Sequence, residues 1–429
     1  MRRGKKITRR EFVKGVAIGS SILLGSSLLG CAEEKPTPEE TPKPTPTPSP
    51  EKTPTPSKEP IKIGVLAPFS GPFSQYGPPF LNGAKMAVEE INAKGGVLGR
   101  PLELSVRDTK NDPNSAATSF EELTYSEKVV AAIGPVSSDI GLATSRKAEE
   151  LQIPLILHLA VTEKIHKKNN RYTFRTNPSA PLWMVATAEY IKEKGYKRIG
   201  AIIADYSFGH SIKAGIEKHI ASIPGVTVQV EVAPVREKDF TPYLRKLKDL
   251  DPEFFVATGH PPGCKVIMKQ ALELGFKSEG YVGPALLEDE WVSALGEKVT
   301  EGAMAFAATD YGSEEYKKVA EKYREKYGDY MNNMAVDGYV NIYHLAWALN
   351  QAGSDDPKKL ADTIRNGRFE IPLFIYPLSY TEWGDLKEPR LALEAFRAGP
   401  PSGNVNPGAN WHIETIFVSS TLIPPEPES

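Results

Sequence analysis

Between Gly134 and Asp139 the chain reads Gly-Pro-Val-Ser-Ser-Asp, a turn that follows an apolar run and opens an amphipathic pattern. The first turn of a helix leaves backbone donors unpaired and carries the positive end of the helix dipole, so such a turn can receive a small anion. Ser138 is the expected cap, either of the helix alone or of the helix and a bound anion together. An ammonium on the same ligand would need a carboxylate or carbonyls, because a buried unpaired charge is costly. Bond-making chemistry is not suggested. No GxSxG, HExxH, P-loop or GxGxxG pattern occurs, and the seven histidines include no pair at i, i+4. Carboxylates are numerous, but runs such as EKYREKYGD read as solvated helix faces. The expectation is a binding protein with no metal, no cofactor and no enzymatic activity.

The elements that would hold such a site alternate regularly. Ile61 begins an apolar run that fits a buried parallel strand. A loop of small and aromatic residues follows, Ser70-Gly71-Pro72-Phe73-Ser74-Gln75-Tyr76-Gly77, and then a helix with one apolar face at Leu81, Ala84, Ala87, Val88 and Ile91. Gly95-Gly96 ends it. Further strands are expected at 61–69, 101–108, 129–134, 154–159, 198–205, 227–232, 254–259 and 302–309. Helices are expected at 138–151, 182–194, 209–223 and 263–274, with a helical block over 313–366 and a short β-rich tail turning at Glu382-Trp383-Gly384-Asp385. Such βα alternation means parallel sheets covered on both faces, as two lobes or as one eight-stranded barrel. The loops at the carboxyl ends of the strands are where open α/β sheets bind ligands.

The 429 residues carry a net charge of −2, and the first 30 contribute seven Lys/Arg against one Glu. The remainder is therefore acidic, which argues against a nucleic-acid partner. Thr8-Arg9-Arg10-Glu11-Phe12-Val13-Lys14 resembles a twin-arginine export motif, and the apolar run to Gly30 is too short for a membrane span. Leu28-Leu29-Gly30-Cys31 resembles a lipobox, which would place a lipid on Cys31. Residues 1–30 are thus expected to be a signal peptide. Residues 31–59, rich in Pro and Thr, are expected to be a disordered, semi-rigid spacer. Cys264 is then left alone, as a semi-buried thiol.

The words GVLAPFSGPFSQYG and EEINAKGGVLGRPLEL resemble the branched-chain amino acid (Leu/Ile/Val) binding proteins, the ABC transporter substrate-binding proteins with the type I periplasmic binding protein fold. The resemblance extends over roughly residues 60 to 400. It implies an α/β fold of two Rossmann-like lobes with parallel central sheets, joined by a three-crossing hinge. Lobe 1 would take 60–177 plus 305–372, lobe 2 would take 178–304 plus 373–422, and 423–429 would be a disordered tail. The ligand would lie between lobes that close on it. By the same resemblance Tyr76 and Phe208 are pocket aromatics, Ser138 contacts the ligand carboxylate, and Leu159 offers its backbone. The family's Thr aligns with Val161, so Thr162, one residue later, is the expected donor. His260 stands at a family Tyr. Ala285 stands where relatives carry the Glu that pairs with the amine. Either Glu288, Asp289 or Asp205 replaces that acid, or the ligand has no α-ammonium. The expected protein is a monomeric, extracytoplasmic lipoprotein of an ABC importer, anchored to the outer face of the cytoplasmic membrane. It would deliver a small amino acid or related carboxylate or amide to a permease. A ligand-sensing receptor of the same fold and a secreted α/β enzyme are the alternatives.

Overall fold

The first strand, β1 (Ile61–Ala67), has every residue but Lys62 buried, which fits a strand covered on both faces. It leads to α1 (Gly77–Ala93), β2 (Leu102–Asp108), α2 (Pro113–Tyr125), β3 (Ala131–Ile133), α3 (Ser138–Leu151), β4 (Leu155–Leu157) and β5 (Thr173–Arg175). In this computed structural model, residues 59–283, 296, 302–399 and 410–427 are described. The expected signal peptide, the expected spacer up to residue 58 with Cys31, and Ala285, Glu288 and Asp289 lie outside them. The five strands form one parallel sheet in the order β2-β1-β3-β4-β5.

The chain then builds the pattern again. α4 (Ala180–Lys194), β6 (Arg198–Ala204), α5 (Ser207–Gly215), β7 (Thr227–Ala233), α6 (Thr241–Leu247), β8 (Phe254–Val256), α7 (Cys264–Glu273), β9 (Gly280–Gly283) and β10 (Ala303–Ala307) follow. The helix after β6 ends in a π-helical turn, Ile216–Ile220. Next come α8 (Glu314–Tyr327), α9 (Asn333–Ala352) and α10 (Pro357–Asn366). The small hairpin β11 (Arg368–Phe369) and β12 (Leu378–Ser379) precedes β13 (Ala392–Ala398) and β14 (Trp411–Val418). The second sheet runs β14-β13-β10-β9-β8-β6-β7, parallel except for β13 and β14. There are thus two open sheets, and the barrel is ruled out. The expected β-rich tail is an antiparallel extension of the second sheet. Strands β5 and β9 go beyond the sequence expectation.

Helix α9 returns to the first sheet and crosses α1 closely. A Cβ on Gly83 would sit 1.9 Å from the Ala335 carbonyl, and one on Gly338 would sit 2.0 Å from that of Phe80. Only glycine at both positions allows this approach. The segments that connect the sheets also touch one another. Thr309 pairs with Phe374 as an isolated bridge, Ile375 N–H donates to Ala308 O at 2.8 Å, and the Tyr376 hydroxyl donates to Thr176 O at 2.7 Å.

Glu394 lies buried on β13, with the Thr415 hydroxyl 2.9 and 3.0 Å from its two oxygens and Asp310 close to the same hydroxyl. Burial, chiefly, and the Asp310 charge raise its pKa from 4.5 to about 8, against the pull of Thr415. The folded-state pKa is raised, so its stability contribution is complete below the unfolded value near 4.5 and is lost as pH rises through about 8. Glu394→Gln should remove that loss, on the order of a few kcal/mol. Thermal unfolding from about pH 5 to about pH 9 should show a flatter curve for the variant. Parallel curves would place the titration elsewhere.

Candidate functional site

In both sheets the strand order reverses beside the first strand, between β1 and β3 and again between β6 and β8. These are the switch points at which open α/β sheets form crevices outside their carboxyl ends. The loops from the two switch points meet. Phe73 and Tyr76 follow β1, Val136 follows β3, and Leu159 follows β4. Tyr206 and Phe208 follow β6, Pro261 follows β8, and Trp183 comes from the first turns of α4. These eight residues line one cavity, five of them are aromatic, and none carries a charge. Phe73 lies 6.1 Å from Tyr76 and reaches across to Tyr206 at 6.0 Å. Trp183 meets Phe208 edge-on at 5.7 Å. The gap between them is about 20 Å³, room for roughly one water.

Each wall is held by local structure. Asp108, at the end of β2, accepts from Phe69 N–H (2.9 Å), Ser70 Oγ (2.8 Å) and Lys110 N–H (2.8 Å), which fixes the start of the β1 loop. Burial pushes its carboxyl up, but these hydrogen bonds outweigh that and hold it below the usual range. Burial, followed by the nearby Cys264, raises the Tyr76 phenol well above its ordinary value, so it stays a neutral donor. Cys264 is buried, with its thiol pushed up to about 12 by burial, and its Sγ lies 3.4 Å from Pro261 O. That is an inert thiol, not a reactive one. Gly134 has φ 102°, and a Cβ there would sit 2.0 Å from Leu66 O, so only glycine turns the chain from β3 into the site loop.

Ser138 is not the cap. Ser137 is, with extended ψ 134°, and neither residue makes a side-chain cap bond. Ser138 is the first helical residue, and its buried Oγ accepts from Thr162 N–H at 3.2 Å. The buried Thr162 hydroxyl is 2.8 Å from Ser211 Oγ, and Ser211 donates onward to Ser207 O at 2.9 Å. The hydrogen bond that Thr162 and Ser211 share joins the loop after β4 to α5 in the other lobe. The loop itself hangs on Arg175. That fully buried guanidinium donates to Val161 O and Thr162 O, both at 3.2 Å, and pairs with Asp385 at 3.3 Å.

Of the residues expected from the sequence, Tyr76, Leu159 and Phe208 line the cavity together. Ser138 and Thr162 are buried and bonded to each other beside it, but neither lines the cavity. His260 is turned away: its buried Nε2 donates to Pro234 O at 2.9 Å, with Phe240 edge-on at 4.8 Å, and burial lowers its pKa. Asp205 is exposed and pairs with His210 Nε2 at 2.9 Å, so it does not face a ligand ammonium. Trp183, Tyr206, Phe73, Val136 and Pro261 complete the wall without having been singled out as ligand contacts.

Residues 60–384 match the family model described as periplasmic binding protein. The chain is 26% identical over 330 residues to the leucine-, isoleucine-, valine-, threonine- and alanine-binding protein of Pseudomonas aeruginosa, covering 76% of this chain and 87% of that one. A solved leucine-binding protein, LivK, of Thermotoga maritima superposes with TM-score 0.70 at 25% identity, over 84% of this chain and 99% of the other. A solute-binding protein of an ABC transporter from Rhodopseudomonas palustris, solved with 3,4-dihydroxybenzoic acid, has TM-score 0.71 at 20% identity, over 86% and 98%. A two-lobed α/β fold with a cleft at paired switch points is the architecture of a solute receptor. The chain belongs to the periplasmic binding protein family, and the Leu/Ile/Val-binding proteins are among its relatives. Proteins of this family bind solutes for transporters. Among the described residues, no helix is long and apolar enough to cross a membrane.

Proposed function

We propose that this protein is the extracytoplasmic solute-binding lipoprotein of an ABC importer, capturing a small carboxylate with an apolar body. The observation that carries the ligand class is the uncharged aromatic cavity at the meeting of the two switch points. Five rings give apolar area and stacking faces, while the Ser138 hydroxyl and the start of α3 supply donors to an anion. No described lining residue is an acid, which favours an aliphatic or aromatic acid over a zwitterion. Lobe closure would then be what the permease reads. The lobes are taken as 60–177 plus 305–372 and 178–304 plus 373–422, except that β10 (Ala303–Ala307) lies wholly in the second sheet, so the crossing at 304 moves to the end of that strand. The lipobox-like run ending at Cys31 and the arginine pair at Arg9-Arg10 support export and lipid anchoring through the spacer.

Ser138→Ala is the test of the anion anchor. It should weaken carboxylate binding at least several-fold in calorimetry, with thermal unfolding little changed. Unaltered affinity would remove Ser138 from the site.

A further inference from the structure

Trp183 stands apart from the other walls of the cavity. Among the described residues it is the largest of the fully buried side chains, and it reaches the cleft from α4, the helix that follows the connection between the two sheets. Three contacts fix its ring. The indole Nε1–H donates to Pro178 O at 3.0 Å, Phe208 meets it edge-on at 5.7 Å, and Phe306 of β10 lies 6.2 Å away. Pro178 belongs to the segment that connects β5 to α4, so the ring is tied to the connection between the lobes. Rotating the indole out of the cavity would leave a buried N–H without a partner and would break two aromatic contacts. Phe73, Tyr76, Val136 and Leu159 are carried away when the lobes part, whereas Trp183 keeps its place on the second lobe.

We infer that Trp183 is the specificity-determining residue of the cleft: its indole limits the length of the carboxylate that the closed lobes accept. The inference rests on the proposed site and names its size filter. The gap beside the indole holds about one water, so a chain or ring taken up between the lobes would have the indole as its end wall. A longer extension in that direction meets a ring that cannot retreat. Truncating the residue opens an indole-sized space at the same end of the cavity, and packed interiors only partly collapse into such space.

The test is calorimetry on the full chain with two pairs of probes, benzoate with 4-butylbenzoate and L-leucine with L-2-aminodecanoate. Wild type, Trp183→Ala and Trp183→Phe are compared, and the Phe variant retains most of the packing should the Ala variant fold poorly. In at least one pair the long-to-short affinity ratio should rise at least tenfold in Trp183→Ala, with Trp183→Phe in between. Unchanged ratios in both pairs, or no binding of either long probe to the variants, would overturn the assignment. Tyr76→Ala and Phe208→Ala separate the two levels of the argument. If they weaken the short probes while the Trp183 ratios stay fixed, the size filter is wrong and the site stands. If they change nothing, the site lies elsewhere and the filter falls with it.

Discussion

Arg175→Met should destabilise the protein by about 3–5 kcal/mol, the usual cost of removing one partner of a buried ion pair. Arg175 and Asp385 are both buried, at 0% and 5% side-chain exposure, and lie 3.3 Å apart. Burial lowers the pKa of Arg175 and raises that of Asp385, each partly offset by the other's charge. Removing the guanidinium strands the Asp385 carboxyl, and it also takes away the side-chain donors to Val161 O and Thr162 O, leaving each with one backbone N–H. Ligand binding should therefore weaken as well, because the Thr162 loop loses its support. The double variant Arg175→Met with Asp385→Leu should cost less than the sum of the single changes, since no lone charge is left. Denaturant unfolding of the four proteins measures this. A single-variant cost below about 1 kcal/mol would mean that the pair does not hold the loop.

Phe208→Ala should reduce ligand affinity about thirtyfold or more, in the range of a buried aromatic anchor. The ring is buried, faces the cavity and lies between Tyr206, tilted at 6.0 Å, and Trp183, edge-on at 5.7 Å. Its loss removes a wall and loosens the indole that it braces. The effect should appear mainly in the dissociation rate, because entry depends on lobe opening and not on this contact. Stopped-flow fluorescence separates the two rates. A change confined to association would place Phe208 at the mouth of the cleft rather than inside it.

Much of the fold was legible because buried strands and amphipathic helices leave a period in the sequence. The helix expected at 138–151 is found with those bounds, Ser138–Leu151. Strand Thr173–Arg175 escaped notice because three residues ending in an arginine carry no apolar period, and its burial depends on Asp385 far along the chain. The site was read in part. Tyr76 and Leu159 sit on loops after strands and Phe208 in the first turn of the helix after β6, where position alone points to a crevice. Trp183 reads as one apolar residue on a helix face, and nothing in that spacing tells that the first turns of α4 look into the cleft. Ser138 had the right type for a cap, but cap identity depends on ψ, which is extended at Ser137. His260 has the place of a pocket residue in the chain, yet a carbonyl on another loop, Pro234 O, turns its ring away.

The central claim is that one small carboxylate is held in the aromatic cavity between the lobes. Native mass spectrometry of the purified protein tests it most directly, with wild type and Phe208→Ala each mixed with an equimolar panel of aliphatic acids, aromatic acids and amino acids. The wild type should carry a single small non-covalent adduct, an acid without an α-ammonium, and the variant should lose it. An adduct retained equally by Phe208→Ala, or no adduct on the wild type from any of the acids, would contradict the account.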